Sequence, residues 1–90
     1  MITLYCSTYC PESQAVKKAL LEEGIDFREV DITSGLTPLK EFMALREKET
    51  FFDEAKKDDR VGIPTLLIDG RLYDVEDGLS QDFIRELKSL

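Results

Sequence analysis

The apolar positions along this chain change period several times, and each change marks an element. Ile2, Leu4 and Tyr5 form a short β-prone run that stops at the small polar cluster Cys6-Ser7-Thr8, as a buried strand entering a loop does. From Pro11 the period turns helical. Ala15, Val16, Ala19 and Leu20 recur on one side, Lys17, Lys18, Glu22 and Glu23 lie on the other, and Gly24 stands where a C-terminal cap belongs. The pattern predicts a helix of about 12 residues. Phe27-Arg28-Glu29-Val30-Asp31-Ile32 then alternates apolar and polar, which predicts a strand with one buried face near a sheet edge.

After the turn Thr33-Ser34-Gly35, the residues Leu36, Leu39, Phe42, Met43, Phe52 and Ala55 give a longer, less regular helical pattern that runs into the charged stretch Lys56–Arg60. Val61-Gly62-Ile63-Pro64 ends any helix, and Thr65-Leu66-Leu67-Ile68 is an apolar strand. Asp69-Gly70 is a hairpin turn, Arg71–Asp74 the return strand. Gly78 leads into a last helix with Leu79, Phe83, Leu87 and Leu90 inward and Ile84 flanking them. The order β-α-β-α-β-β-α predicts an α/β fold: a four-stranded mixed sheet with one right-handed parallel crossover, covered on both faces by three helices, in a single domain over residues 1–90.

Composition narrows the chemistry. The 90 residues hold 12 Lys+Arg against 19 Asp+Glu, a net charge of −7, and no histidine or tryptophan. Without histidine there is no Ser-His or Cys-His pair and no His-ligated zinc, so no metal site is expected. The acidic balance argues against nucleic acid as a partner, because Lys and Arg drive phosphate-backbone binding. Two cysteines are too few for a disulfide scaffold, and Met1-Ile2-Thr3-Leu4-Tyr5 lacks the basic and long apolar stretches of a signal peptide. A cytoplasmic location is the expectation. The apolar runs fall far short of the roughly 20 residues that span a bilayer, so no membrane partner is expected either.

The segment that carries chemistry is Tyr5-Cys6-Ser7-Thr8-Tyr9-Cys10-Pro11-Glu12-Ser13. Cys10 falls at the cap position of the first helix and Pro11 at its first turn, where a missing N–H costs nothing. Thiols so placed face free backbone N–H groups and the positive end of the helix dipole, which favours the thiolate. Cys10 is therefore the candidate nucleophile, set against the alternative of a small apolar filler at a strand–helix junction.

With these residues in view, the chain resembles a glutaredoxin, a small member of the thioredoxin superfamily. The likeness rests on Ile2-Thr3-Leu4-Tyr5, on Cys10-Pro11-Glu12-Ser13, on the stretch from Leu21 to Ile32, and on Val61-Gly62-Ile63-Pro64 followed by Thr65–Gly70. The resemblance implies a thiol–disulfide oxidoreductase in which Cys10 attacks a protein disulfide or a glutathione mixed disulfide. It implies glutathione as a co-substrate with no tightly bound cofactor, a monomer, and a cis Ile63-Pro64 bond that turns the Ile63 backbone toward a substrate. It also places Tyr9, Pro11, Ser13, Arg60, Ile63, Pro64, Asp77 and Gly78 around the bound thiol, Arg60 meeting a carboxylate and Asp77 an ammonium.

Several positions depart from that family's pattern. Ser13 replaces the usual second cysteine, so Cys10 acts alone, as in monothiol members, or Cys6 resolves the mixed disulfide across a Cys-x-x-x-Cys loop. No basic residue precedes Cys10, and Glu12 adds a negative charge beside it. The Gly-Gly-x-Asp loop is reduced to Val75-Glu76-Asp77-Gly78, where Glu76 repels a carboxylate. The segment from Ser34 to Arg60 is long and contains Phe51-Phe52, which reads as core or as a partner surface. Two other functions stay open: a glutathione-assisted [2Fe-2S] cluster carrier, against which Pro11-Glu12 counts, and a non-catalytic binding module on the same scaffold.

Overall fold

A computed structural model describes all 90 residues. The strands are β1 (Ile2–Cys6), β2 (Arg28–Asp31), β3 (Thr65–Ile68) and β4 (Arg71–Asp74), and they form one sheet in the order β2-β1-β3-β4. β1 and β2 run parallel with Cys6 beside Asp31, while β1/β3 and β3/β4 are antiparallel. The helices are α1 (Pro11–Glu22), α2 (Leu36–Lys48), α3 (Asp53–Lys57) and α4 (Gln81–Lys88), with a single 3₁₀ turn at Thr50–Phe52 between α2 and α3.

The central strand β1 is buried on both faces, and its side-chain alternation divides the core in two. Ile2, Leu4 and Cys6 point to the face covered by Val16 and Leu20 of α1 and Ile84 and Leu87 of α4. Tyr5 points to the other face and packs with Val30, Phe42 and Phe52. α1 begins at Pro11 and ends on Gly24, whose φ of +67° fits the left-handed cap, with the Gly24 and Ile25 N–H groups returning to Leu21 and Leu20 carbonyls.

The sheet and its mixed topology are as the pattern predicts, but four helices, not three, cover it. Glu49 is extended (φ −96°, ψ 129°) and breaks the long second helix into α2, the 3₁₀ turn and α3. That break turns Phe52 fully into the core, edge-on to Phe42 and Phe51, while Phe51 stays 37% exposed. In α4 it is Ile84 that is buried with Leu87, and Leu90, expected inward, lies beyond the helix and is 71% exposed. No helix is long and apolar enough to cross a membrane.

Candidate active site

The two parallel strands end side by side, so the loops that follow β1 and β2 meet at one end of the sheet, where open α/β folds place their ligands. Cys10 caps α1 there in an extended conformation (φ −105°, ψ 110°), with Pro11 as the first helical residue. The N–H groups of the next residues, Glu12 and Ser13, have no carbonyl partner in the helix and supply the positive end of its dipole. Against them stands Glu12, whose carboxylate accepts from the Cys10 Sγ at 3.6 Å.

Cys10 is half-buried in a cavity of about 350 Å³ whose other walls are Ser7, Tyr9, Thr33, Arg60, Ile63 and Glu76. A larger open concavity of about 780 Å³ lies at the far end of the sheet, between Met1, Phe27, Asp69 and Leu90, and is lined by no cysteine. The Ile63-Pro64 bond is cis, as the resemblance implies. Neither the N–H nor the C=O of Ile63 is hydrogen-bonded within the chain, which leaves both for an incoming backbone.

Two features hold this Ile63 loop in place. The Arg46 guanidinium of α2 donates from Nε to the Val61 carbonyl and from an Nη to the Arg60 carbonyl, both at 2.8 Å. Beneath it, Gly62 has φ +102°, and a Cβ there would meet the Phe52 ring at 2.9 Å. Glycine is required on both counts.

The remaining expected site residues fall in different places. Tyr9 is 83% exposed at the mouth, and Pro11 is exposed beside it. Ser13, by contrast, is fully buried, because residues 13, 16 and 20 form the inward stripe of α1, and its hydroxyl has no hydrogen-bond partner. It faces the core rather than a substrate. Arg60 reaches the cavity held between Glu76 (3.2 Å) and Asp58 (3.3 Å). Glu76, not Asp77, lines that wall, and Gly78 turns the chain toward α4 in a separate depression.

Cys6, the possible resolving thiol, does not line the Cys10 cavity. It is the last residue of β1, completely buried, and no disulfide joins it to Cys10. Burial first, then the Glu29 and Asp31 carboxylates, push its thiol up to about 12, so it carries almost no thiolate near neutrality. Arg46, by contrast, had no local sequence signal, because its carbonyl partners lie 14 and 15 residues away, and Asp31 had one only toward Thr33, since Thr8 lies 23 residues from it.

A cysteine at the start of the first helix, sharing a cavity with the residue that precedes a cis proline just before β3, is the arrangement of a thioredoxin-fold thiol protein. The glutaredoxin family model matches residues 2–73, and the chain belongs to that family. A wheat glutaredoxin structure superposes with a TM-score of 0.67 at 17% identity, covering 98% of this chain and 78% of the other. A buckwheat glutaredoxin–glutathione complex gives 0.67 at 15% identity, with 98% and 76% covered. An uncharacterized protein of Haemophilus influenzae is 37% identical over 67 residues, 74% of this chain and 77% of that one.

Proposed function

We propose that this protein is a thiol–disulfide oxidoreductase that works through Cys10 alone. The observation that carries the reading is a half-buried thiol at a helix start, in a cavity walled by a backbone pair on Ile63 with no partner. The Cys10 thiolate attacks one sulfur of a disulfide R–S–S–R′, forming Cys10–S–S–R and releasing R′S⁻, which takes up a proton from solvent. A second, external thiolate then attacks that mixed disulfide, regenerating the Cys10 thiolate and leaving R joined to the incoming thiol. The extended backbone around R pairs with Ile63 as an added strand.

An external second thiol follows from the buried, poorly ionised Cys6 and from serine at position 13. Glutathione is one candidate for it, supported by the buckwheat relative's complex and by Arg60 as a carboxylate partner. Here that carboxylate has to compete with Glu76 and Asp58, which already engage the guanidinium. Polypeptide disulfides, which bring a backbone and no obligatory anion, suit the site better.

Steady-state exchange between a peptide disulfide and an external thiol tests the reading. Cys10→Ser is expected to abolish turnover, and Cys6→Ala to keep it within about twofold, since no step uses that thiol. Activity in Cys10→Ser, or its loss in a folded Cys6→Ala, would contradict it.

A further inference from the structure

The loop that presents Cys10 is tied to the loop after β2 by a chain of hydrogen bonds ending on a single carboxylate. Asp31 Oδ2 accepts from the Thr8 N–H at 3.3 Å and from the Thr8 hydroxyl, while Oδ1 accepts from the Thr33 N–H at 2.9 Å and its hydroxyl at 2.6 Å. The Thr33 hydroxyl has one proton and gives it to Asp31. The Ser7 hydroxyl, 2.9 Å from it, must therefore be the donor in that pair. The Ser7 oxygen in turn accepts from the Tyr9 N–H at 3.0 Å. The sequence of donors is thus fixed: Tyr9 N–H to Ser7, Ser7 to Thr33, Thr33 to Asp31.

The same serine anchors the nucleophile, because its carbonyl accepts the Cys10 N–H at 3.1 Å and the Gln14 side-chain amide at 2.9 Å. We propose that Asp31 is a positioning residue for Cys10, its anionic carboxylate orienting the Ser7-Thr33 hydroxyl chain that sets the nucleophile's loop against the Ile63 wall. Asp31 makes no contact with the thiol and does not line the cavity, whereas Ser7 and Thr33 do. Its carboxyl is held down at about 2 by the Thr33 and Thr8 hydroxyls, so it is ionised throughout the working range. A neutral acceptor cannot satisfy all four donors. Asparagine offers one oxygen, and its amide clashes with whichever backbone N–H it faces.

This inference rests on Cys10 as nucleophile, and its test separates the two. Exchange of a peptide disulfide is followed for wild type, Asp31→Ala and Asp31→Asn, with activity expressed per folded molecule and Cys10 alkylation by iodoacetamide measured in parallel. Misalignment of a reacting atom is expected to lower kcat about tenfold in Asp31→Ala and about threefold in Asp31→Asn, with KM within about twofold and the alkylation rate not reduced. Ser7→Ala should then add little to Asp31→Ala, because both interrupt one chain. Unchanged kcat in folded Asp31→Ala, or alkylation falling in step with kcat, would overturn the inference. Should Asp31→Ala not fold, Thr33→Val removes the hydroxyl that links Ser7 to Asp31. A kcat reduced about threefold supports the inference, and an unchanged one overturns it. Active wild type with equally active variants removes Asp31 alone, whereas inactive wild type removes the Cys10 reading with it.

Discussion

At the residue scale, a few charged groups decide how the site behaves. Asp31 gains its hydrogen bonds only in the folded state, so its carboxyl lies at about 2 there against 3.8 ordinarily. A depressed carboxyl contributes stability that is fully present above its unfolded value and is lost as the pH falls through the folded one. Urea unfolding of wild type and Asp31→Ala should therefore show a gap of up to about 2 kcal/mol at neutral pH, after allowing for solvent screening, that closes between about pH 4 and pH 2. A gap that stays constant down to pH 2 would contradict the bonding pattern. Glu12 and Cys10 were legible in the sequence because their relation is local. Ser13 was not, because whether the fourth residue of a Cys-Pro-x-Ser run faces solvent or core depends on which stripe of α1 meets the sheet.

At the element scale, the long segment between β2 and β3 supports the Ile63 loop. Arg46 of α2 holds the carbonyls of residues 60 and 61, and Phe52 from the 3₁₀ turn fills the space under Gly62. The apolar pattern marks Phe42 and Phe52 as helical and inward. The break at Glu49 is invisible in it, because glutamate is an ordinary helix former and tertiary packing of Phe52 overrides local preference. The Gly62-Ile63-Pro64 loop, conversely, was readable, since glycine opens backbone conformations closed to other residues and proline fixes its own φ wherever they stand. Gly62→Ala is expected to cost about 1–3 kcal/mol, from its positive φ and the clash with Phe52, and to weaken peptide-disulfide exchange more than alkylation of Cys10. Thermal unfolding and the two rates measure this, and a variant as stable and active as wild type would contradict the packing described.

At the scale of the whole molecule, the sheet puts all of the chemistry at one end and the net charge of −7 bears on it. Around the cavity Glu12, Asp58 and Glu76 outnumber Arg60, whose guanidinium is already shared between two of them. The composition foretold this imbalance but not its arrangement, since the Arg60–Glu76 pair joins loops 16 residues apart. A cationic small disulfide such as cystamine is expected to react faster with Cys10 than anionic glutathione disulfide does, with the ratio shrinking as salt is raised past about 0.5 M. Equal rates at low salt would show that the acidic rim does not govern access.

In the proposed mechanism a single cysteine performs the exchange. The measurement that bears on this most closely is mass spectrometry of the intact protein and its peptides after reaction with a stoichiometric peptide disulfide and no external thiol, quenched by acid. The expected product is a mixed disulfide on Cys10 with Cys6 still a free thiol. A Cys6–Cys10 disulfide, or an adduct on Cys6 with Cys10 untouched, would contradict it.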